Sequence, residues 1–254
     1  MTPIRQIAIF IIMFLTTSVV SSETLRFVYS DDDPPISSQV NNIPVGLFPE
    51  LVELIFSLLQ DYDVSTEAYP WSRSQLLVES GERDGFVTYP SKHRKQYAVF
   101  SEQAVFIQDY GYLIYHKDNT HKTRMEWAKS FKDISDLTVI VENGSEWEKD
   151  NIPSFLNRVK AVNQDTMVHL LFLRKEGDFM VMPPETAVHL TRKLGYQKVL
   201  NYNSVKFIND SLIPFHIGLS KKTPNADIII NQINKIILST RFSKARKAII
   251  EQYH

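Results

Sequence analysis

Short apolar segments alternate with longer segments of helical apolar spacing along most of this chain. Leu25 to Ser30 predicts a buried strand, and Gly46 to Tyr62 predicts a helix because leucine and isoleucine recur there every three or four residues. Further strands near Val64–Ala68 and Gly85–Tyr89 flank a helix over Ser72–Ser80. Strands that alternate with helices form βαβ units. The pattern therefore predicts an α/β protein whose sheet is mainly parallel and covered on both faces.

A second series of the same kind begins at Gly111. The expected strands are Gly111–His116, Thr138–Val141, Val159–Val162 and Phe179–Met182. The expected helices are Ser145–Asp150, Asp165–Lys175 and Glu185–Leu194, and the polar segment Lys117–Thr123 is expected to be a surface loop. A strand over Phe215–Ser220 and two helices, the second from Ser243, complete the chain. Two similar series predict two lobes.

Composition excludes several classes of protein. The 254 residues carry 28 Lys+Arg against 29 Asp+Glu, 43% are hydrophobic, and there is no cysteine. A near-neutral chain offers no broad basic surface for nucleic acid, and a chain without cysteine has no disulfide, thiolate zinc site or thiol nucleophile. There is no phosphate loop, dinucleotide fingerprint or nucleophile elbow. We therefore expect no metal, no cofactor and no enzyme activity.

The N-terminal segment, residues 1–22, has the pattern of a secretory signal peptide. Arg5 precedes an apolar run from Ile7 to Leu15, and small uncharged residues follow as far as Ser22. A retained membrane anchor is the alternative, although the run is shorter than the roughly 18–20 residues that a spanning helix needs. The prediction is cleavage and export to the periplasm.

Several short motifs occur in a specific order in the remaining chain. Pro70-Trp71-Ser72-Arg73 precedes a Gly81-to-Gly85 turn. The segment from Ser91 to Ser101 has an arginine as its fourth residue and ends in Phe-Ser. Later come Asp136-Leu137 with Gly144-Ser145, then Gly177-Asp178, and a final Ile217-Gly218-Leu219-Ser220 strand. In this order the chain resembles the extracellular solute-binding proteins of family 3, the amino-acid receptors of ABC importers.

The resemblance implies a type II periplasmic-binding-protein fold, in which two α/β lobes joined by two crossovers enclose the ligand. It places lobe 1 at residues 23–110 and 215–254 and lobe 2 at residues 111–214. It also implies a small amino-acid or related carboxylate ligand, an ABC permease in the inner membrane as a possible partner, and a monomer. A periplasmic sensor without transport, or a dehydratase-like enzyme variant of the fold, are the alternatives.

The resemblance and the chemistry of a zwitterion together suggest the ligand-binding residues. Arg94 is the candidate for the ligand carboxylate because a guanidinium matches two carboxylate oxygens. Its alternative role is that of a solvated arginine. Ser145, at a predicted helix start, is a second candidate for an anion or an ordinary helix cap. Trp71 offers an aromatic wall, or core packing, and Thr88 and Tyr89 offer hydroxyl groups.

The ammonium end of a ligand is less well supplied. Many relatives place an aspartate shortly after the strand at Phe179, where this chain has Pro183. Glu185 is a possible substitute, although an acidic residue at this place also suits a helix N-terminus. Asp33 in the first turn is another, although turn aspartates are usually solvated. The sequence thus leaves the pairing of a ligand ammonium open.

Overall fold

The computed structural model describes residues 22–59, 61–143 and 145–253, apart from the side chain of Glu146. Residues 1–21, nearly all of the predicted signal peptide, lie outside the described residues. Within the described part, no helix is long and apolar enough to cross a membrane.

The elements up to the first crossover are short and regular. The strands are β1 Glu23–Ser30, β2 Asp32–Asp33, β3 Ser37–Val40, β4 Ile43–Val45, β5 Tyr62–Tyr69, β6 Gly85–Thr88, β7 Ala98–Phe100 and β8 Phe106–Asp109. The helices are α1 Leu47–Leu58, α2 Trp71–Ser80 and α3 Arg94–Tyr97.

The middle of the chain adds a second set. Its strands are β9 Tyr112–His116, β10 Thr138–Glu142, β11 Asn157–Ala161, β12 Phe179–Val181 and β13 Leu200–Ser204. Its helices are α4 Lys122–Trp127, α5 Glu146–Asn151, α6 Gln164–His169 and α7 Pro184–Lys193, with a 3₁₀ turn at Phe131–Ile134. The chain then returns through β14 Leu212–Ser220 to α8 Ala226–Ile237 and α9 Thr240–Glu251.

Two sheets organise the molecule, one in each lobe. The first has the order β5-β1-β6-β14-β7, and the second has the order β11-β10-β12-β9-β13. Buried apolar residues of the first lobe, such as Phe27 and Leu51, form clusters separate from those of the second lobe, such as Val139 and Leu171. Each lobe therefore has its own core. The residue limits predicted for the lobes remain a proposal.

Both sheets are mixed, although most strands in each run in one direction, in line with the expectation of a mainly parallel sheet. In each of these orders four strands run in one direction and one runs against them, β14 in the first sheet and β9 in the second. In the first sheet the reversed strand results from the return of the chain, because β14 re-enters this sheet after the whole second lobe and runs against β6 and β7.

Some local predictions need correction. The helix expected over Asp165–Lys175 is an α-helix only to His169 and then widens into a π-helical turn that ends at Lys175, where φ is 54°. The expected loop Lys117–Thr123 already contains the start of α4. In the first turn, after β1, Asp32 and Asp33 form the first strand of a small antiparallel sheet, β2-β3-β4.

The two crossovers between the lobes lie side by side. The N–H of Tyr110 donates to the carbonyl of Ser211 over 2.8 Å, and the N–H of Val205 donates to the carbonyl of Gly111 over 2.7 Å. The first half of β14 pairs with β8 directly before these bonds. A two-stranded connection of this kind gives a hinge that permits one lobe to rotate against the other.

Candidate functional site

A cavity of about 480 Å³ lies on the face of lobe 1 at the carboxyl ends of β1 and β6. Ligands of α/β proteins bind at such strand ends. Five of the seven predicted site residues line it: Asp33, Trp71, Thr88, Tyr89 and Arg94. We call this space the lobe-1 cavity.

Arg94 is held in a fixed orientation at the start of α3. Its Nε donates to the Oε1 of Gln75 over 3.0 Å, and its Nη1 donates to the carbonyl oxygen of Tyr89 over 3.0 Å. The ring of Trp71 lies beneath the guanidinium, with 5.5 Å between Cζ and the ring centroid. Contacts from three sides orient the guanidinium before any ligand arrives, which reduces the entropy cost of binding.

Arg94 has no carboxylate partner among the described residues. Its hydrogen bonds go to an amide and a carbonyl oxygen, and the side chain is half-buried. Burial lowers the pKa of Arg94, and Tyr97 beside it offsets part of that effect. An arginine nevertheless stays charged. A half-buried cation without an anion is an arrangement that an incoming carboxylate would stabilise.

The other residues of this cavity differ in their exposure. Thr88 is buried at the end of β6, and Tyr89 next to it is 46% exposed. Trp71 is half-buried and packs against Phe86 with 6.1 Å between the ring centroids. Trp71 thus has a packing role and a cavity-facing surface at the same time.

A second cavity, of about 280 Å³, lies mainly on lobe 2 and contains Ser145. It shares Asp33 and Phe215 with the lobe-1 cavity, so the two form one cleft across the lobes. We call it the lobe-2 cavity. Pro183 also lines it, so the place where many relatives have an aspartate supplies no charge here.

Ser145 caps the N-terminus of α5. Its Oγ accepts a hydrogen bond from the N–H of Glu148 over 3.3 Å, as the helix-cap interpretation expects. The side-chain carboxylate of Glu148 in turn accepts a hydrogen bond, 2.7 Å long, from the N–H of Glu142 at the end of β10. Glu148 is not among the predicted site residues, and its signal in the sequence is the Ser145–Glu148 spacing of a capping box.

Helix α5 is fixed to the hinge by its tryptophan. The Trp147 ring lies 4.5 Å from that of Tyr110, and its Nε1 donates to the carbonyl of Asp210. Burial first, and then nearby carboxylates that include Asp33 and Glu148, raises the pKa of Tyr110 to about 12. Acidic groups therefore converge on the lobe-2 cavity around Tyr110.

Asp33 lies between the two cavities, on β2. Burial by the surrounding protein and the neighbouring Asp32 raise the pKa of Asp33 to about 6, although its side chain still reaches solvent. Of the predicted site residues, Asp33 alone lines both cavities. Asp33 therefore lies where the two cavities meet.

Glu185 is the one predicted residue that lines neither cavity. It is 3% exposed in the first turn of α7 and lines a separate groove of about 540 Å³ beside α9. Burial raises the pKa of Glu185, and a hydrogen bond with the side chain of Gln108 partly opposes this. Gln108 does line the lobe-2 cavity, so Glu185 lies behind that cavity and supports its wall.

The chain is similar to known proteins at the level of structure. No protein-family model matches the chain, and no curated protein matches it. Among solved structures, a probable amino-acid ABC transporter extracellular-binding protein of Bacillus subtilis, YtmK, is 14% identical with a TM-score of 0.69. That match covers 92% of this chain and 98% of the other.

Two further structures agree with that match. Substrate-binding domain 2 of GlnP from Lactococcus lactis, in an open conformation, has a TM-score of 0.70 at 16% identity, covering 91% of this chain and 95% of the other. A Streptococcus pneumoniae amino-acid ABC transporter substrate-binding protein bound to L-arginine has a TM-score of 0.58 at 17% identity, with 91% and 93% covered. All three are described as binding proteins or as a binding domain.

These similarities extend over nearly the whole chain and define its fold. The protein has the two-lobed α/β type II fold of periplasmic binding proteins, as expected from the order of its motifs. At these identities the comparisons establish the fold, and the function has to be argued from the site.

Proposed function

We propose that this protein is an exported solute-binding protein that captures a small amino-acid-like carboxylate between its lobes and delivers it to an ABC permease. The observation that carries the proposal is Arg94, a preoriented, half-buried cation without a carboxylate partner in the described residues. A ligand carboxylate would supply the missing anion.

The arrangement of the cleft supports closure as the mechanism. The lobe-1 cavity holds Arg94, Trp71 and Thr88, and the lobe-2 cavity holds Ser145. A ligand that contacts both cavities stabilises the closed state relative to the open state, because only closure satisfies both sets of contacts. The paired crossovers at Tyr110 and Ser211 supply the hinge.

The binding partners named for the similar structures agree with this proposal. One of them was solved with L-arginine, another is described as a probable amino-acid ABC transporter extracellular-binding protein, and the third is described as a substrate-binding domain. A receptor of this kind needs an exported location, which the predicted signal peptide at residues 1–22 would provide. We further propose that it works as a monomer.

A thermal-shift screen tests the proposal. The purified protein is heated with each of the common L-amino acids, with simple amines and with small organic acids. We expect at least one carboxylate-bearing solute to raise the unfolding temperature, because a ligand that binds only the folded state stabilises it. Stabilisation by none of these solutes, or by amines alone, would contradict the proposal.

A further inference from the structure

Glu148 is a buried acidic side chain in the wall of the lobe-2 cavity. It is 7% exposed and lies in the first turn of α5. Its carboxylate accepts the 2.7 Å bond from the N–H of Glu142 and interacts with the hydroxyl of Ser145. Both partners are neutral groups, so neither supplies a positive charge.

The surroundings of Glu148 add negative charge. Asp33 and Glu142 line the same cavity. Arg158 lowers the pKa of Glu148 by its charge, but the Nη2 of Arg158 donates to the carbonyl oxygen of Ile152. Among the described residues, Glu148 forms no ion pair. Burial, the largest effect, raises the pKa of Glu148 to about 7.

A buried carboxylate without a cation is costly. Glu148 is the most buried of these three acidic side chains, since Glu142 is half-buried and Asp33 is exposed. Glu148 therefore has the most to gain from a positive group that enters the lobe-2 cavity. Its environment is the counterpart of that of Arg94, the half-buried cation across the cleft.

We infer that Glu148 binds the positive group of the ligand. The ligand class is then a bipolar organic ion that bears a carboxylate for Arg94 and a protonated amine or guanidinium for Glu148. This inference rests on the proposed function and adds the charge selectivity of the second cavity. The positive group can be the α-ammonium of an amino acid or a cationic side chain.

Glu148 also joins β10 to α5 through its bond with Glu142, and a purely structural role would end there. Glu148→Gln keeps that role, because an amide oxygen can accept the same N–H, but it removes the negative charge. Asp150→Asn is the matched control, since Asp150 is exposed on the same helix. The unfolding temperature of each variant shows whether it is folded.

The experiment compares the affinities of charge-matched ligand pairs by calorimetry. L-Alanine and propanoate differ in the α-ammonium, and L-arginine and L-citrulline differ in the charge of the side chain. We expect the wild-type protein to prefer the more positive member of at least one pair by about tenfold or more. The pair that shows the preference identifies which positive group Glu148 binds.

In Glu148→Gln the preference should fall to about twofold or less, and in Asp150→Asn it should stay as in the wild type. Equal wild-type affinity within both pairs would overturn the inference and leave the proposed function standing. So would a preference that survives in Glu148→Gln. Failure of these four compounds and of every carboxylate in the thermal-shift screen to bind would instead contradict the proposed function, and the inference with it.

Discussion

The guanidinium of Arg94 lies against the face of Trp71, with 5.5 Å from Cζ to the ring centroid. An aromatic face attracts a cation and shields one side of it from water. Both side chains line the lobe-1 cavity. The two residues therefore act together as the proposed carboxylate-binding unit of lobe 1.

Truncation of the aromatic ring should weaken binding moderately. Trp71→Ala removes the support of the guanidinium, and we expect an affinity about three- to tenfold lower for the ligand found by screening. Trp71→Phe keeps an aromatic face and should lose less. Calorimetry measures both, and an affinity unchanged in Trp71→Ala would remove Trp71 from the site and leave it with packing alone.

An internal competitor for Arg94 should weaken binding. In Gln75→Glu the Nε of Arg94 would meet a carboxylate in place of an amide oxygen, and the new ion pair would compete with the ligand carboxylate. We expect at least about a tenfold loss of affinity. Gln75→Ala should cost less, and Gln96→Glu, an exposed position on α3, serves as the control.

The pH dependence of stability should reveal the buried charge of Glu148. The pKa of this group rises from an ordinary 4.5 to about 7 on folding, so between these values the folded state holds a proton that the unfolded state has released. The titration of Glu148 therefore lowers the free energy of unfolding as pH rises from about 4.5 to 7, by at most about 3 kcal/mol in total.

Chemical denaturation of the wild type and Glu148→Gln at pH 5 and pH 8 tests this. We expect the variant to gain stability relative to the wild type as pH rises, because it lacks the buried charge. A difference that is the same at both values, or that shrinks with rising pH, would show that the carboxylate of Glu148 titrates normally in the folded protein.

Asp84 offers a test of a structural rather than a ligand-binding carboxylate. It is 7% exposed, and its oxygens accept bonds from the backbone N–H of Arg26 at 2.9 Å, from the Arg26 Nε at 3.0 Å and from the Thr223 hydroxyl at 3.2 Å. Asp84→Ala should lower the free energy of unfolding by about 3 kcal/mol. Ligand affinity, measured below the unfolding temperature, should not change.

Much of the fold could be predicted because its signals are local. The leucine and isoleucine spacing of α1 and the closing Gly195 of α7, with φ of 83°, are visible in the sequence. The β2-β3-β4 sheet was missed because its apolar residues face outward, with Val40 54% and Ile43 63% exposed. Its turn at Asn41-Asn42, where both φ values are positive, was a detectable hairpin signal.

The site was harder to predict because burial and pairing depend on distant residues. Arg94 could be found from its motif, but its partner Gln75 lies on another helix. Glu148 carries the pattern of a helix cap, and nothing local shows that its carboxylate is buried. Glu185 lies close in sequence to the cleft-lining Pro183, yet the turn of α7 directs it to the other side of the wall.

The most direct test of the account is calorimetric titration of the ligand found by screening into Arg94→Ala. Arg73→Ala, an exposed arginine on α2, is the control. We expect a loss of affinity of at least about thirtyfold in Arg94→Ala, with an intermediate loss in Arg94→Lys and none in Arg73→Ala. Wild-type affinity in a folded Arg94→Ala protein would contradict the account.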